Sequence, residues 1–502
     1  MKIITTIISI FLISYFANGQ SIDEPFSQKK MKQDFEIFKK ISKEANSGLL
    51  KYRTKQQIDS IYNWGNQQIE KTTTYREFYN IVCTISEFEG SLHNEVYLPK
   101  KYKKSLKSEE NGYFPFPVKW VDEKWLINIV DKEIPVGAEI ISINSVPISE
   151  IIQNLYKYYS TDGVNITGKR IGLRTNFSKY YRLHYGLSKT FEVSYINPTT
   201  KLSETKIIES VGNKKYYENF NKIHSLPLDK FFYYDLKETQ KYNYKQLNST
   251  TGILTIHTFI MGNETTNEHK KYNQFLDSVF ADIKTKNIKN LIVDVRNNGG
   301  GTDPNDLLTY SYLTNRSFQE NKQAWISFKK IPLIKYYNIG IPKFVRPLVV
   351  GKYNKQFQED FPLVKDGKFY QNEKSSDHKI WHPNQNAFTG NIYLLTSPAI
   401  ASAGSLFAAM LSGNENTITI GEETMGGYYG HNGHTPLEYK LPKSNIIIQF
   451  SVVNLEQDVP KKENQKYDRG IIPDYEITQT FNDFLNNIDT QMNFTLELIK
   501  KK

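Results

Sequence analysis

The clearest candidate for nucleophilic chemistry in this 502-residue sequence is Ser402. It lies between an apolar run at 391–396 and an alanine-rich run at 403–411, which predict a buried strand and a helix joined by a turn. The first N–H groups of a helix have no intrahelical partner, so they face whatever the serine attacks. Such a turn can supply a nucleophile and half of an oxyanion hole, although the same position also suits a simple helix N-cap.

A second candidate is the triple glycine Gly299-Gly300-Gly301, which follows an apolar run at 291–295. Glycines allow backbone N–H groups to approach a ligand with no side chain in the way. Neither the P-loop pattern GxxxxGK[ST] nor a completed GxGxxG occurs here, which argues against phosphate binding. An oxyanion-stabilising loop is the better functional interpretation, and a tight turn without function is the alternative.

The third candidate is His93, in the segment EGSLHNEVYLP. It follows a predicted helix at 75–88 and precedes a predicted strand at 95–98, so it lies on a short loop that is held at both sides. The near-neutral pKa of an imidazole suits a general base. An ordinary histidine on a surface loop is the alternative interpretation.

Length and composition limit the class of protein. The net charge is +11, but the lysines are dispersed, which argues against a nucleic-acid partner. Residues 1–19 have the pattern of a signal peptide, with Gln20 as the mature N-terminus, and no later apolar run is long enough to span a membrane. We therefore expect an exported protein, periplasmic or extracellular, without stable membrane insertion. The single cysteine, Cys83, rules out an internal disulfide and is expected to be buried.

The 3.6-residue periodicity predicts two helices within 31–71, before the helix at 75–88. A strand at 253–259, a helix at 264–284 and a strand at 291–295 together predict a parallel crossover unit.

The overall pattern of predicted elements indicates a multidomain protein of mixed α+β and α/β class. The segment 135–159, PVGAEIISINSVPISEIIQNLYKYY, resembles the strand and helix that flank the peptide groove of a PDZ domain. The predicted divisions are a signal peptide (1–19), a helical region (20–111), a PDZ-like β-rich domain (112–210), a connector (211–250), an αβ core (251–480) with an insertion (318–388), and a closing helix (481–502).

Four further motifs occur in the order found in the S41 peptidases, the tail-specific or C-terminal processing proteases and their tricorn-core relatives. They are NLIVDVRNNGGG (290–301), LLTSPAIASAGSLFAAML (394–411), TIGEETMGG (419–427) and RGIIPDYEI (469–477). The chain therefore resembles this family over most of residues 75–480. The resemblance implies a ClpP/crotonase-like αβ catalytic core behind the PDZ-like domain.

The resemblance also implies roles for individual residues. Ser402 matches the nucleophile of the family. The N–H of Ala403, with one from the loop of Gly299 and Gly300, matches its oxyanion hole.

The general base differs between the branches of the family. One branch uses a lysine at the position that Gly427 occupies here, so the tricorn-like branch, which uses a histidine before the PDZ-like region, is the better match. This points to His93 as the base. A carboxylate near the "G.PD" motif orients the histidine in that branch. Asp468 is therefore the first candidate for the orienting group, and Glu422 or Glu423 is the next.

The family resemblance predicts an exported serine endopeptidase that hydrolyses extended or unfolded polypeptides through an acyl-enzyme on Ser402. Two departures support an alternative, an inactive peptide-binding homologue: Ser405 replaces the usual glutamate, and Leu92 replaces a helper serine. An esterase is disfavoured because no G-x-S-x-G surrounds the serine. No cofactor is expected, and no metal either, because no carboxylate is evident beside His431 and His434.

Overall fold

The computed structural model describes residues 21–225, 236–342 and 344–501. The predicted signal peptide (1–19) and Gln20 lie outside these ranges. Within them, no helix combines the length and the apolarity that crossing a bilayer requires.

The chain begins with a helical region whose apolar faces pack together. Thr54 and Thr74 start the second and third helices with reciprocal capping boxes, which fixes their first residues. The three helices predicted from the 3.6-residue periodicity are confirmed. The elements are α1 (Gln28–Ala45), α2 (Lys55–Ile69), α3 (Tyr75–Phe88), β1 (Glu95–Tyr97) and α4 (Lys100–Ser108).

An antiparallel sheet and two helices follow, in the region of the predicted PDZ-like domain. The sheet has the order β2-β3-β4-β6-β7, with β5 on β4. Its elements are β2 (Val118–Val121), β3 (Lys124–Ile127), β4 (Glu139–Ile143), β5 (Val146–Pro147), α5 (Ile148–Leu155), α6 (Thr167–Tyr185), β6 (Thr190–Ile196) and β7 (Ser203–Glu209).

The sequence analysis missed α6. This helix is kinked at Asn176, where the backbone is non-helical, and it contains Gly168 and Gly172. A kink and two glycines interrupt the periodicity by which a helix is recognised.

A connector then leads into the first part of a parallel sheet. Strands β9 and β10 are parallel, joined by the amphipathic helix α9, which confirms the predicted crossover unit. The elements are α7 (Asn213–Phe220), α8 (Glu238–Lys241), β8 (Tyr242–Gln246), β9 (Thr251–Ile256), α9 (Asn267–Thr285), β10 (Asn290–Asp294) and α10 (Asn305–Ser311).

The predicted insertion at 318–388 is part of the packed structure. Its first strand pairs with a long strand near the C-terminal end of the core, in an antiparallel sheet that β1 also joins. Its elements are β11 (Asn321–Ile326), α11 (Arg346–Asp360), β12 (Leu363–Lys365) and β13 (Lys368–Tyr370).

The remaining elements complete both sheets. The parallel sheet has the order β18-β15-β14-β10-β9-β8, and the antiparallel sheet has β1-β17-β11-β13-β12 with β16 on β17. The predicted single closing helix is instead two helices, because Asn487 adopts a left-handed conformation with φ 54°. The elements are β14 (Asn391–Thr396), α12 (Ala403–Ser412), β15 (Thr417–Gly421), β16 (Asn432–Lys440), β17 (Ile447–Gln457), β18 (Tyr475–Glu476), α13 (Phe481–Asn486) and α14 (Thr490–Lys500).

Candidate active site

Ser402 lies at the turn between β14 and α12, as the sequence predicts. Its backbone has φ 50° and ψ −134°, a conformation that residues other than glycine rarely adopt. Although it occupies the N-cap position, its side chain caps no N–H of the helix. The turn therefore presents the hydroxyl toward the space in front of the sheet, and the strained backbone is typical of a functional residue.

The triple-glycine loop packs directly against this turn. β10 and β14 are parallel neighbours, with Asp294 beside Leu395, so the loops at their carboxyl ends meet. A Cβ on Gly300, whose φ is +105°, would lie 2.8 Å from the Cβ of Ser402. Glycine is required there by both the backbone angle and the close contact.

The backbone N–H groups around Ser402 are not equivalent. The N–H of Gly300 donates to Oδ1 of Asn298 at 3.0 Å. In the part of the chain that the structure describes, the N–H groups of Gly299 and Ala403 have no hydrogen-bond partner. Gly299 and Ala403 are therefore the available donors for an oxyanion, while Gly300 contributes by lacking a side chain.

His93 lines the same cleft as Ser402 and Gly299. Its Nε2 is buried and has no hydrogen-bond partner among the described residues. Burial, assisted by the charge of His434, lowers the pKa of His93 to about 4. The imidazole is therefore neutral at pH 7, which is the form that accepts a proton.

The loop of His93 is held by a residue that the sequence analysis did not identify. Oδ1 of Asp162 accepts the N–H of Leu92 at 3.0 Å, and Oδ2 accepts the N–H of Gly427 at 2.9 Å. Burial raises the pKa of Asp162 to about 7. An aspartate between α5 and α6 has no motif around it, so only the packing of the PDZ-like domain on the core identifies it.

Asp468, the predicted orienting group, is not brought to the imidazole. Its backbone carbonyl accepts the N–H of Val164 at 3.0 Å, and its carboxylate acts electrostatically on Arg53 and Arg469. No hydrogen bond joins Asp468 to His93 within the described ranges. The contacts of Asp468 support the neighbouring loops.

The two alternatives to Asp468 lie elsewhere. The carboxylate of Glu423 forms a bidentate ion pair with Arg469 and accepts the N–H of Gly470 at 2.9 Å. Glu422 lines a second cleft. The structure therefore shows no hydrogen bond between His93 and any carboxylate of the described residues.

Two further histidines lie beside His93. The ring of His431 is 5.4 Å from that of His93, centroid to centroid, and burial lowers its pKa well below the usual range. Nε2 of His434 lies 3.4 Å from Oε1 of Glu320, and this carboxylate raises the pKa of His434 to about 10 although burial opposes the charge. Glu320, which directly precedes β11, thus brings a carboxylate to His434, a contact that the sequence did not reveal. Even so, among the described residues no cluster of three or more His, Cys, Asp or Glu side chains is arranged to hold a metal ion.

Of the two departures from the family pattern, Ser405 has a structural consequence of its side chain, whereas Leu92 acts through its backbone. Oγ of Ser405 donates to the carbonyl of Ser402 at 2.7 Å, inside the first turn of α12. A Cβ on Gly426 would lie 2.1 Å from that Oγ. The small side chain of Ser405 therefore leaves room for the loop of Gly426 to pack against α12. Leu92 contributes its N–H to Asp162, so the backbone at this position has a positioning role.

The cleft in front of Ser402 has a volume of about 850 Å³. A second cleft, of about 470 Å³, adjoins it between the PDZ-like domain and the parallel sheet. Ile171, Arg174, Asn297 and Ala399 line both. The two clefts therefore form one path that passes the nucleophile turn.

Comparisons with known proteins agree with this architecture. The profile of peptidase family S41 matches residues 250–477, and that of a PDZ domain matches residues 110–219. No curated protein sequence matches the chain.

Solved structures share the fold at low sequence identity. Mature CPAF complexed with lactacystin is 12% identical with a TM-score of 0.61, over 94% of this chain and 98% of that one. Mature CPAF alone is 13% identical with a TM-score of 0.57, over 94% and 97% of the two chains. With a PDZ domain at 110–219 and a catalytic domain of peptidase family S41 at 250–477, this chain is a serine-type peptidase.

Proposed function

We propose that the protein is an exported endopeptidase that cleaves extended or unfolded polypeptides through an acyl-enzyme on Ser402. The observation that carries the proposal is the shared cleft, into which Ser402, His93 and the oxyanion loop of Gly299 project together. A serine with a strained backbone, a neutral imidazole and two free N–H groups are the components of acyl transfer.

The reaction follows from these groups. Nε2 of His93 takes the proton from Oγ of Ser402 as Oγ attacks the scissile carbonyl carbon. The N–H groups of Gly299 and Ala403 stabilise the oxyanion. Collapse breaks the C–N bond, and the leaving amine takes the proton from His93. A water molecule, deprotonated by His93 in the same way, then hydrolyses the ester and restores Ser402.

Preference for extended chains is supported by the shape of the substrate path. A polypeptide that enters one cleft continues into the other past Ala399, three residues before the nucleophile. A folded domain does not fit such a path, whereas an extended strand does. The PDZ domain offers a second site for an extended segment, by strand addition.

Export is supported by the signal-peptide pattern at 1–19. N-terminal sequencing of the protein recovered from a bacterial host's exported fraction tests it. We expect a mature chain that starts at Gln20. An intact N-terminus in the cytosolic fraction would contradict export.

The central experiment is cleavage of unfolded casein by residues 20–502, beside Ser402→Ala and His93→Ala. We expect both substitutions to lower the cleavage rate by about 10⁴-fold, because nucleophile and base act as a unit. Activity that is lost in Ser402→Ala but kept in His93→Ala would show that another group is the base. Peptide binding without cleavage by any form would favour the inactive homologue.

A further inference from the structure

Several basic side chains line the catalytic cleft. Besides Ser402 and His93, Lys157, Arg174 and Lys179 line the cleft. Among the described lining residues, Glu95 is the one carboxylate. The side chains that surround a bound substrate therefore carry a net positive charge.

These basic side chains lie on one face of α6 and on the turn after α5. Ile171, Arg174, Thr175 and Lys179 recur at the spacing of one helical face, and all four line the cleft. Lys157 lies beside them because the ring of Tyr158 stacks on that of Tyr180, with 5.1 Å between centroids. Lys179 is thus carried by α6, and Lys157 by the turn that packs against it.

The cations of the PDZ-like domain differ according to the face on which they lie. Away from the cleft, Lys169 pairs with Glu87, and Arg182 pairs with Asp23 and Glu109. Toward the cleft, neither Lys157 nor Lys179 forms a salt bridge with a carboxylate in the described ranges. The carboxylates of Glu95 and Glu87 act on Lys179 and Lys157 through space without forming a salt bridge, so each ammonium group can still bind an anion directly.

Burial of the two lysines favours the binding of an anion beside them. Burial lowers the pKa of Lys179, and the positive charges of Lys103 and Lys107 lower it further, while the charge of Glu95 opposes the shift. Burial likewise lowers the pKa of Lys157 to about 8, and its Nζ lies 2.9 Å from Nδ1 of His184, a neutral partner. An anion that enters the cleft relieves this destabilisation, so it gains more than it does at an exposed lysine.

We propose that Lys157 and Lys179 form an anionic subsite that selects polypeptides with an Asp or Glu side chain close to the scissile bond. This substrate class rests on the proposed peptidase function. The cleft holds an extended segment against Ser402, and the carboxylate of the segment accepts hydrogen bonds from the two ammonium groups. The carboxylate is bound as an ion pair, and no covalent step takes place in this subsite.

Binding to the Ser402→Ala protein tests the subsite separately from catalysis. Two fluorescent peptides share one casein-derived sequence with a blocked, amidated C-terminus, and the second has each Asp and Glu replaced by Asn and Gln. We expect the acidic peptide to bind about fivefold more tightly in anisotropy measurements at low salt, with the preference reduced at high salt. Lys179→Gln and Lys157→Gln, each added to Ser402→Ala, should reduce the ratio of affinities toward one.

Lys270→Gln is the matched control, since it removes the same charge from an exposed position on α9, outside the cleft. It should leave the ratio unchanged. Equal binding of the two peptides to Ser402→Ala, or a preference that survives both lysine substitutions, would overturn the subsite.

A third peptide, without acidic side chains but with a free C-terminal carboxylate, separates the two sources of anionic charge. Tighter binding of this peptide alone would assign the lysines to chain termini and overturn the proposal. Acid-selective binding in a protein that fails to cleave casein would leave the subsite standing and refute the peptidase function.

Discussion

The two sides of the catalytic site differ in how far apart in the sequence their parts lie. The nucleophile side consists of β14, the turn of Ser402, α12 and the loop after β10, which is a neighbouring strand of the same sheet. The base side is a loop around His93 that distant segments hold. Asp162 binds Leu92 and Gly427, and the guanidinium of Arg53 donates to the carbonyls of Phe88 and Gly163.

The free-energy costs on the two sides also differ in kind. On the nucleophile side the cost is backbone strain at Ser402, of about 1–3 kcal/mol. On the base side it is desolvation, because His93 Nε2, Glu89 Oε1 and His431 Nδ1 are buried without partners among the described residues. The strained turn determines the position of one atom, Oγ of Ser402. The conformation of the His93 loop, in contrast, depends on all the segments that keep water away from its unsatisfied polar groups. Substitutions on the two sides should therefore have different effects.

The largest effect expected from this comparison is that of Gly300→Ala. The new Cβ would lie 2.8 Å from the Cβ of Ser402 and 3.0 Å from Ala401 O, at a φ of +105°. We expect a stability loss of about 2 kcal/mol and about a hundredfold slower casein cleavage, because the nucleophile is displaced. Initial rates and urea unfolding measure the two effects.

Gly351→Ala is the control for Gly300→Ala. A Cβ on Gly351, within α11, meets nothing within 4 Å. It should raise the free energy of unfolding by about 0.5–1 kcal/mol and leave cleavage unchanged. Equal effects of the two substitutions would show that the contact with Ser402 is unimportant.

Asp162→Asn tests the base side. The carboxylate of Asp162 accepts two N–H groups, one with each oxygen. The amide of Asn has one acceptor oxygen, and its NH₂ group cannot accept, so the N–H of either Leu92 or Gly427 loses its hydrogen bond. We expect about tenfold lower kcat, with KM changed less than twofold, because the loop of His93 shifts while the cleft wall remains. Steady-state kinetics on a blocked peptide separate the two constants.

Asp468→Asn is the matched control for Asp162→Asn. Its carboxylate has no hydrogen bond within the described ranges, so kcat should change less than twofold. A large loss in Asp468→Asn with none in Asp162→Asn would instead support Asp468 as the orienting group, as predicted from the sequence.

The pH dependence of cleavage tests whether His93 is the base. The base must be neutral, and burial lowers the pKa of His93 to about 4. We expect protonation of His93 to lower kcat/KM with a midpoint near 4, well below the ordinary value of about 6.5. Protonation of Asp162, whose pKa burial raises to about 7, adds a separate and smaller step near pH 7, of about tenfold at most. A complete loss of activity with a midpoint near 6.5 would mean that the base is an exposed histidine.

Stability has to be followed in the same pH range. Because the folded pKa of His93 is depressed, the unfolded chain binds the proton first as the pH falls from about 6.5. The contribution of His93 to the free energy of unfolding therefore decreases between about pH 6.5 and 4. The contribution of Asp162 has the opposite sign and increases as the pH falls through about 7, because burial raises its folded pKa. Initial rates taken after a pH jump, with circular dichroism on the same samples, separate loss of the base from loss of the fold.

The smallest effect is expected for the strain at Ser402. Ser402→Gly and Ser402→Ala both remove the nucleophile, but only glycine tolerates φ 50° without strain. We expect the glycine variant to be more stable by about 1 kcal/mol, after the greater freedom of glycine in the unfolded chain is subtracted. Equal urea midpoints would show that the turn is unstrained.

Much of this protein could be predicted from short stretches of sequence. The strand at 391–396 and the helix that begins at Ala403 carry their periodicity within a few residues, and their bounds agree with β14 and the start of α12. The crossover unit of β9, α9 and β10 was predicted for the same reason. Because the carboxyl ends of parallel strands share one edge of the sheet, the meeting of Gly300 with the Ser402 turn also follows.

The tertiary structure alone decided which polar groups meet. Asp162 lies 70 positions from Leu92 and 265 from Gly427, and such separations leave no periodic signal. Helix α6 carries Lys179 to the cleft, although that lysine lies in no motif. Local propensities act within one turn of the chain, whereas the partner of a buried polar group is fixed only when distant segments exclude water together.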